Sequence, residues 1–359
     1  AIIFTYILAF IVFIICCFKF NIFIFYSKSG FWRLKPWDYY ILKLLRKKII
    51  FVSLGTDIRP PYLNGKFIYN KRYSLNSIYK ETQKILKKIN RMESVADYII
   101  SYPAHSQLLN KKFINGLIIG NPAEINLLNE KELNEEEKIN NNILKPIRIL
   151  HAPSHPETKG TYSIRKVIEQ LKEKGYAIEY IEIMNKPHSE VLKQIKNCDF
   201  VIDQLYSDTP LPLFAVEAGL YKKPPVVAGY YSDFVENDIT DGKFFSLFIH
   251  PDKLFELCEK LCSSKEFRYE MGNKIYKFLM DNWSKTIIAK RFLKLIEGNF
   301  SENWWFDPLN IKYWYGYGVA KKDLYDFLIK YTDKFSFEGL YLSKNKVLLK
   351  NIESEIKNK

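Results

Sequence analysis

Lys159 and Glu217 are the residues whose types and positions best suit a phosphorylated, hydroxyl-bearing ligand. Lys159 stands in residues 151–161 (HAPSHPETKGT), directly before Gly160. If a helix begins there, its free backbone N–H groups and its dipole attract an anion, and lysine adds a full charge. Glu217 can accept two hydrogen bonds from a ribose or sugar diol. Together the two residues predict a site for a diphosphate linked to a sugar.

Each of these residues also has a purely structural interpretation. A lysine–glycine pair is common, and a glutamate in the first turn of a helix stabilises the helix dipole without a ligand. His151, His155 and His188 could each serve the same site, but single histidines are more often hydrogen-bonded structural residues. The residues alone leave both interpretations open.

Strands and helices alternate around Lys159 and Glu217. Apolar runs predict strands at 147–150, 177–184, 199–203 and 225–229, and helical spacing of apolar residues predicts helices at 162–174, 189–197 and 213–221. This alternation is typical of a parallel sheet with right-handed crossovers. Lys159 is then expected at the first strand-to-helix turn, and Glu217 at the start of a later helix on the same sheet edge.

The first part of the chain alternates in a similar way. Strands are predicted at 22–26, 48–52, 96–101 and 117–121, and helices at 37–46 and 75–92. The strand at 22–26 is wholly apolar, which is typical of the centre of a sheet. Gly55, Asp57 and Arg59 follow the strand at 48–52, and ligands of open α/β sheets lie outside the carboxyl ends of strands. We predict that these three residues bind a polar acceptor; an Asp–Arg ion pair that fixes the loop is the alternative.

Residues 1–18 contain no charged side chain. Their length allows a transmembrane helix. However, the apolar strand at 22–26 follows almost at once, and no basic segment precedes the run as in a signal peptide. We expect a buried helix, with a membrane anchor or a re-entrant membrane contact as the alternative.

The chain of 359 residues is long enough for two domains. We predict a first domain at 1–127, an acidic, asparagine-rich linker at 128–145, a second domain at 146–298 and an aromatic-rich extension at 299–359. Aromatic residues beside lysines suit a membrane interface. They suit equally a helix that packs back on the first domain, which we expect here, with a frayed and solvated end at 351–359.

Charge and cysteine content bear on partners and location. The formal net charge of +14 attracts anionic membranes, phosphates or nucleic acid, unless the dispersed lysines are merely solvated. No nucleic-acid motif accompanies the charge, so no nucleic-acid partner is expected. Five cysteines without paired spacing predict reduced thiols and a cytosolic setting. The sequence has neither an Asp-x-Asp motif nor a His/Cys cluster with zinc spacing, so no metal is expected.

Residues 147–229 resemble the donor domain of the GT-B glycosyltransferases, especially the bacterial family 4 enzymes that build surface polysaccharides. The matching segments are 151–161 (HAPSHPETKGT), 199–204 (DFVIDQ), 214–218 (FAVEA) and 223–227 (KPPVV), with 55–59 (GTDIR) similar to the acceptor-domain signature. The resemblance covers about residues 22–295. It implies an α/β protein of two Rossmann-like domains with a cleft between them, metal-independent transfer with retention, and no cofactor beyond the nucleotide-sugar. The family's first strand and glycine-rich loop would precede Ala1, so we expect the first domain to be incomplete.

By this resemblance, Lys159 neutralises the donor diphosphate and Glu217 holds the ribose or sugar hydroxyls, as the two catalytic residues. The residues that would contact the donor are Ser154, His155, Gly160, Met184, His188, Leu213, Phe214 and Ala215. Of these, 184–188 would lie by the base and 213–215 along the sugar and phosphates. Gly55, Asp57 and Arg59 would face the acceptor.

The chain departs from the family pattern at three places. Thr209 stands where the family often has the first of two glutamates, and Ser154 and His155 occupy the stretch where an arginine is usual. Tyr26 and Leu54 stand where histidines are expected. These departures favour donor binding over turnover.

We therefore predict a cytoplasmic glycosyltransferase that moves a sugar from a nucleotide-sugar to a saccharide or lipid-linked acceptor, either free or peripheral at an anionic inner membrane face. A GT-B epimerase, which needs no acceptor, is one alternative. A non-catalytic sugar-nucleotide or polysaccharide-assembly binding protein is another. A nucleic-acid-binding protein is the third, and it would show a steep salt dependence of binding.

Overall fold

The computed structural model describes residues 2–26, 37–121, 145–239 and 244–358. The chain divides into two compact units. The first consists of Ala1–Ile119, Arg291–Trp314 and Lys322–Lys359, and the second of Gly120–Lys290 and Tyr315–Lys321. The chain therefore returns to the first unit at Arg291, inside the predicted second domain, and the predicted extension contributes to both units. Apart from Lys145, the predicted linker lies outside the described residues.

The first unit contains a largely parallel sheet. Its described strands are β1 (Ile22–Tyr26), β2 (Lys48–Val52), β3 (Tyr98–Ser101), β4 (Phe113–Asn115) and β10 (Trp305–Phe306). They lie in the order β1-β2-β3-β4-β10, and only β10 among them runs antiparallel to its neighbour. The main helices of this unit are Ile2–Lys19, Trp37–Leu44, Leu75–Val95 and Lys346–Lys357, with short helices at Gly65–Ile68 and Gly116–Ile119. Two further helices, Lys285–Glu297 and Lys321–Phe335, belong to it from Arg291 and from Lys322 onward.

β1 occupies the edge of the described sheet, so the prediction of a central strand is wrong. Its side chains alternate: Phe23 and Phe25 are buried, while Ile22, Ile24 and Tyr26 are exposed. An unbroken apolar run can mark a buried strand, but it cannot show on which side a neighbour lies.

The apolar run at the start of the chain forms the helix Ile2–Lys19. Among its described side chains, Phe13 and Cys17 are buried, but Ile7, Leu8 and Phe18 are exposed. The helix that we expected to be buried is therefore buried on one face only. A helix that is apolar all round does not reveal from its sequence which face it buries. Of the helices that the structure describes, none has both the length and the apolar character needed to span a lipid bilayer.

The strand predicted at 117–121 is also wrong. The strand ends at Asn115, and Gly116–Ile119 is a helical turn. Asn115 Oδ1 accepts a hydrogen bond of 3.0 Å from the backbone N–H of Leu117, which fixes the start of that turn.

The C-terminal residues pack on the first unit, as predicted. Tyr62 donates a 2.7 Å hydrogen bond to the carbonyl of Leu340, and the rings of Tyr79 and Phe335 stack with centroids 4.4 Å apart. The expected frayed end at 351–359 is wrong, because Lys346–Lys357 is a helix. Its buried Leu348, Ile352 and Ile356 recur every fourth residue, the spacing of one helix face.

The second unit contains a wholly parallel sheet in its described residues. The strands are β5 (Ile147–His151), β6 (Ile178–Glu182), β7 (Phe200–Gln204), β8 (Pro225–Ala228) and β9 (Leu247–Ile249), in the order β6-β5-β7-β8-β9. Its main helices are Thr161–Glu173, His188–Asn197, Leu213–Leu220, Leu254–Ser263 and Lys265–Asn282, with short helices at Pro156–Lys159 and Val235–Asp238. The predicted alternation of strands and helices is confirmed, and with it an α/β fold of two parallel-sheet domains.

Candidate functional site

The strand order of the second unit reverses at β5. From β5 the chain crosses to β6 on one side and then returns to β7 on the other, so β5 and β7 are neighbours. In open α/β sheets this reversal leaves a crevice outside the carboxyl ends of the two strands, where ligands bind. The turn after β5 carries Lys159, and β7 ends with Asp203 and Gln204.

Lys159 and Asp203 form a buried ion pair at this point. Lys159 Nζ lies 2.7 Å from Asp203 Oδ1, and the two side chains are 12% and 1% exposed. Burial lowers the pKa of Lys159, but the charge of Asp203 and the phenol of Tyr317 more than offset it, so the pKa lies above its ordinary value. Lys159 is therefore an ammonium group at neutral pH. Asp203 Oδ2 is buried and has no hydrogen-bond partner in the part of the chain that the structure describes.

Gly160, the residue after Lys159, connects two helices. It ends Pro156–Lys159 and begins Thr161–Glu173, in a left-handed conformation with φ of 70°. No side chain caps the N-terminus of the second helix. The first turn of this helix therefore follows Lys159 directly and has N–H groups without a side-chain cap, which are the two features that an anion site needs.

Replacement of Gly160 by alanine is expected to distort this turn. A Cβ there would lie 2.6 Å from Leu205 Cβ, whereas Gly175, which also has positive φ, has open space around it. Gly175→Ala is the matched control, since it carries the left-handed strain without the clash. We expect Gly160→Ala to destabilise by about 1–3 kcal/mol more than Gly175→Ala in urea unfolding, from overpacking. Equal destabilisation would contradict the close contact with Leu205.

His151 is a structural residue. Its ring is fully buried, with Nδ1 2.7 Å from the carbonyl of Ile202 and Nε2 2.9 Å from Thr161 Oγ1. Burial is the main reason that its pKa is lowered, so the neutral ring is favoured. Because a carbonyl can only accept, Nδ1 carries the proton and Nε2 accepts from the threonine hydroxyl. The ring thus ties β5 to β7 and to the start of the helix Thr161–Glu173.

Glu217 is the fifth residue of the helix Leu213–Leu220, so the prediction that it begins the helix is wrong. The helix already starts after Pro212. Glu217 Oε1 accepts a 2.8 Å hydrogen bond from His188 Nε2, and the two side chains are 8% and 62% exposed. Burial raises the pKa of Glu217, the hydrogen bond from His188 lowers it, and Asp203 raises it. Lys159 is thus paired with Asp203, Glu217 is paired with His188, and the charge of Asp203 acts on Glu217.

The other residues predicted to bind the donor differ in exposure. Ser154, His155, Met184 and Leu213 are exposed, and Phe214 is half-buried. Ala215 is fully buried. Their contacts with a donor stay a prediction.

Gly55, Asp57 and Arg59 form a tight, buried loop in the first unit. Asp57 Oδ1 accepts a 2.9 Å hydrogen bond from the backbone N–H of Leu54, and Asp57 and Arg59 are 5% and 6% exposed. A Cβ at Gly55 would lie 2.9 Å from Arg59 Nη2, so glycine makes room for the guanidinium. These contacts stabilise the loop, and acceptor binding by the three residues stays a prediction.

Asp203 was missed as a site residue, although segment 199–204 was part of the resemblance. The available signal was a carboxylate that follows three apolar residues near the carboxyl end of a strand. Among the described residues, no group of three His, Cys, Asp or Glu side chains could hold a metal ion.

The structure resembles several solved structures in overall chain path. HepE from Anabaena in complex with UDP-glucose is 12% identical, with 81% of this chain and 82% of that chain covered and a TM-score of 0.45. A trehalose-6-phosphate synthase studied with bisubstrate glycomimetics is 11% identical, with coverage of 81% and 78% and a TM-score of 0.49. Sucrose-phosphate synthase from Thermosynechococcus elongatus is 12% identical, with coverage of 78% and 74% and a TM-score of 0.45. No protein-family model and no curated protein sequence matches the chain.

Proposed function

We propose that this chain is a GT-B glycosyltransferase that binds a nucleotide-sugar in its second unit and transfers the sugar to a saccharide or lipid-linked acceptor. The observation that carries the proposal is the buried Lys159–Asp203 ion pair at the reversal point between β5 and β7. The charge of Asp203 also raises the pKa of Glu217. Ligand sites of open α/β sheets occur at such points.

In the proposed complex, the donor diphosphate lies at the N-terminus of the helix Thr161–Glu173 against Lys159 Nζ. Hydrogen bonds to charged groups contribute roughly 1.5–3 kcal/mol each. Glu217 accepts hydrogen bonds from the ribose or sugar diol, and the exposed ring of His188 borders the same ligand. The donor therefore meets a cation at its phosphates and a carboxylate at its hydroxyls.

In the proposed reaction, the bond between the anomeric carbon and the diphosphate oxygen breaks and a bond to the acceptor oxygen forms, and the proton of the acceptor hydroxyl passes to the departing diphosphate. Negative charge grows on the departing diphosphate, and the preformed ammonium of Lys159 stabilises it. Retention of configuration and independence of metal are part of the proposal through the resemblance of residues 151–161 and 199–218.

The function is tested by incubating the full chain with UDP-, GDP-, ADP- and dTDP-sugars and measuring nucleotide release with and without saccharide or polyprenyl-phosphate-linked acceptors. We expect release from one donor, stimulated by one acceptor class. A changed sugar without any acceptor would indicate an epimerase, and binding without turnover would indicate a binding protein. Absence of binding by all donors would contradict the proposal.

A cytoplasmic location at an anionic membrane surface is also part of the proposal. The net charge of +14 and the exposed apolar side chains of the helix Ile2–Lys19, including Ile7, Ile15 and Phe18, support it. We expect the chain to co-sediment with vesicles that contain phosphatidylglycerol and not with pure phosphatidylcholine. No sedimentation with either vesicle, or equal sedimentation with both, would remove the membrane surface from the proposal and leave the donor site untouched.

A further inference from the structure

Seven residues of the predicted extension belong to the second unit. Tyr315–Lys321, here called the tyrosine segment, joins that unit, whereas Arg291–Trp314 before it and Lys322–Lys359 after it belong to the first. The segment contains Tyr315, Gly316, Tyr317 and Gly318, and both glycines have positive φ.

The tyrosine segment lies directly on the two loops that build the candidate site. The backbone N–H of Gly318 donates a 2.8 Å hydrogen bond to the carbonyl of Tyr206, which follows β7. A Cβ at Gly318 would lie 2.8 Å from Thr158 Cβ and 3.0 Å from the carbonyl oxygen of Thr158. Thr158 immediately precedes Lys159. The segment therefore contacts both the turn that carries Lys159 and the loop that follows β7.

Both ends of the tyrosine segment are fixed by Tyr230. The backbone N–H of Lys321 donates a 2.9 Å hydrogen bond to Tyr230 Oη, and the rings of Tyr230 and Tyr315 lie 5.8 Å apart. Lys321 Nζ lies 4.4 Å from the centroid of the Tyr315 ring, a cation–π contact. Held at both ends, the segment has a defined position over Thr158.

Tyr317 stands between these fixed points and next to Gly318. Its side chain is half-buried. The next residue, Gly318, lies against Thr158, and Thr158 directly precedes Lys159, so Tyr317 is placed beside the Lys159 turn. Tyr317 also contributes to the raised pKa of Lys159. A hydroxyl group in that position can donate to an anion that the ammonium group binds.

We propose that the tyrosine segment forms a wall of the donor site and that the Tyr317 hydroxyl donates a hydrogen bond to the diphosphate bound by Lys159. This inference rests on the proposed nucleotide-sugar site and adds a residue from a distant part of the chain to it. Tyr317 is thereby a binding residue that reads the phosphates and not the base or the sugar.

The test compares the full-length wild type with Tyr317→Phe by calorimetric titration. The probes are UDP, GDP, ADP, CDP, dTDP and inorganic pyrophosphate, together with the free nucleoside of whichever diphosphate binds. Loss of one hydrogen bond to a charged group should weaken the diphosphate and pyrophosphate by about tenfold. The nucleoside should bind Tyr317→Phe as it binds wild type. Tyr269→Phe, which removes the hydroxyl group of an exposed tyrosine, is the matched control.

A second variant tests the position of the segment. Gly318→Ala places a methyl group against the Thr158 backbone and should weaken pyrophosphate while circular dichroism shows a folded chain. Wild-type affinity of Tyr317→Phe for a diphosphate that wild type binds would overturn the role of Tyr317 and leave the Lys159 site standing. Wild-type pyrophosphate affinity of a folded Gly318→Ala would overturn the wall. If wild type binds none of the probes, the proposed function fails and this inference with it.

Discussion

Lys159→Ala is expected to lower both the stability of the protein and its affinity for a diphosphate, and a second change, Asp203→Asn, is expected to restore only the stability. The lysine is 12% exposed and its partner carboxylate 1% exposed, so the single variant leaves an uncompensated buried charge. Breaking a buried ion pair in this way costs about 3–5 kcal/mol. The double variant removes the carboxylate charge as well, but it still lacks the ammonium group that would hold the phosphates.

Urea unfolding and calorimetric titration separate the two effects. Lys172→Ala, at an exposed position in the last turn of the helix Thr161–Glu173, is the control for loss of one positive charge away from the site. We expect the double variant to unfold near the wild-type midpoint with at least about tenfold weaker diphosphate binding, equivalent to 1.4 kcal/mol. Wild-type affinity in the double variant would show that Lys159 does not bind phosphate. A wild-type midpoint for Lys159→Ala alone would show that the ion pair does not stabilise the fold.

Glu217→Gln is expected to weaken nucleotide-sugar binding at neutral pH without lowering stability there. The side chain is 8% exposed, and burial raises its pKa above the ordinary value. A carboxyl group whose pKa is raised in the folded state contributes stability below its unfolded pKa and loses it as pH rises through the folded pKa. The neutral amide avoids the cost of holding a buried carboxylate at neutral pH, so Glu217→Gln should be at least as stable as wild type at pH 7. It loses charge-assisted hydrogen bonds to the diol, and affinity should fall by about tenfold.

The same ionisation predicts a pH dependence of donor binding. Because only the carboxylate accepts both diol hydrogen bonds, wild-type affinity for a nucleotide-sugar should fall as pH decreases through the raised pKa of Glu217. Glu217→Gln should lack this decrease, whereas Glu169→Gln, at an exposed helix position, should keep it. Binding titrations from about pH 8 down to about pH 4.5, which is near the ordinary pKa of a glutamate, measure the effect. An unchanged decrease in Glu217→Gln would assign the titration to another group.

The part of the second unit from β5 to β8 could be predicted almost element by element from the sequence. Helical spacing at 162–174 and 189–197 and apolar runs at 147–150 and 225–229 each occur where the structure has the corresponding element. Local periodicity suffices in the helix Thr161–Glu173 because its buried Ile164, Ile168 and Leu171 recur at the spacing of one helix face.

The ion pair of Lys159 and Asp203 could not be predicted in the same way. The two residues are brought together by the neighbouring positions of β5 and β7, and strand order is not a property of local sequence. The position of Tyr315–Lys321 depends on contacts made far along the chain, at Thr158 and Tyr230. The error at 22–26 has the same origin, because a short apolar run does not encode its neighbours in the sheet. The error at 117–121 has a different one, because a short apolar run does not distinguish a strand from a helical turn.

The most direct test of the central claim, that the reversal point between β5 and β7 binds a nucleotide diphosphate, is thermal unfolding of wild type and of the Lys159→Ala, Asp203→Asn double variant with UDP, GDP, ADP, CDP and dTDP. A ligand of the folded state at about 100 times its Kd adds about 2.7 kcal/mol of stability. The proposed site predicts stabilisation of wild type by one of the five nucleotides and its loss in the folded double variant. Stabilisation of neither protein, or equal stabilisation of both, would contradict the claim.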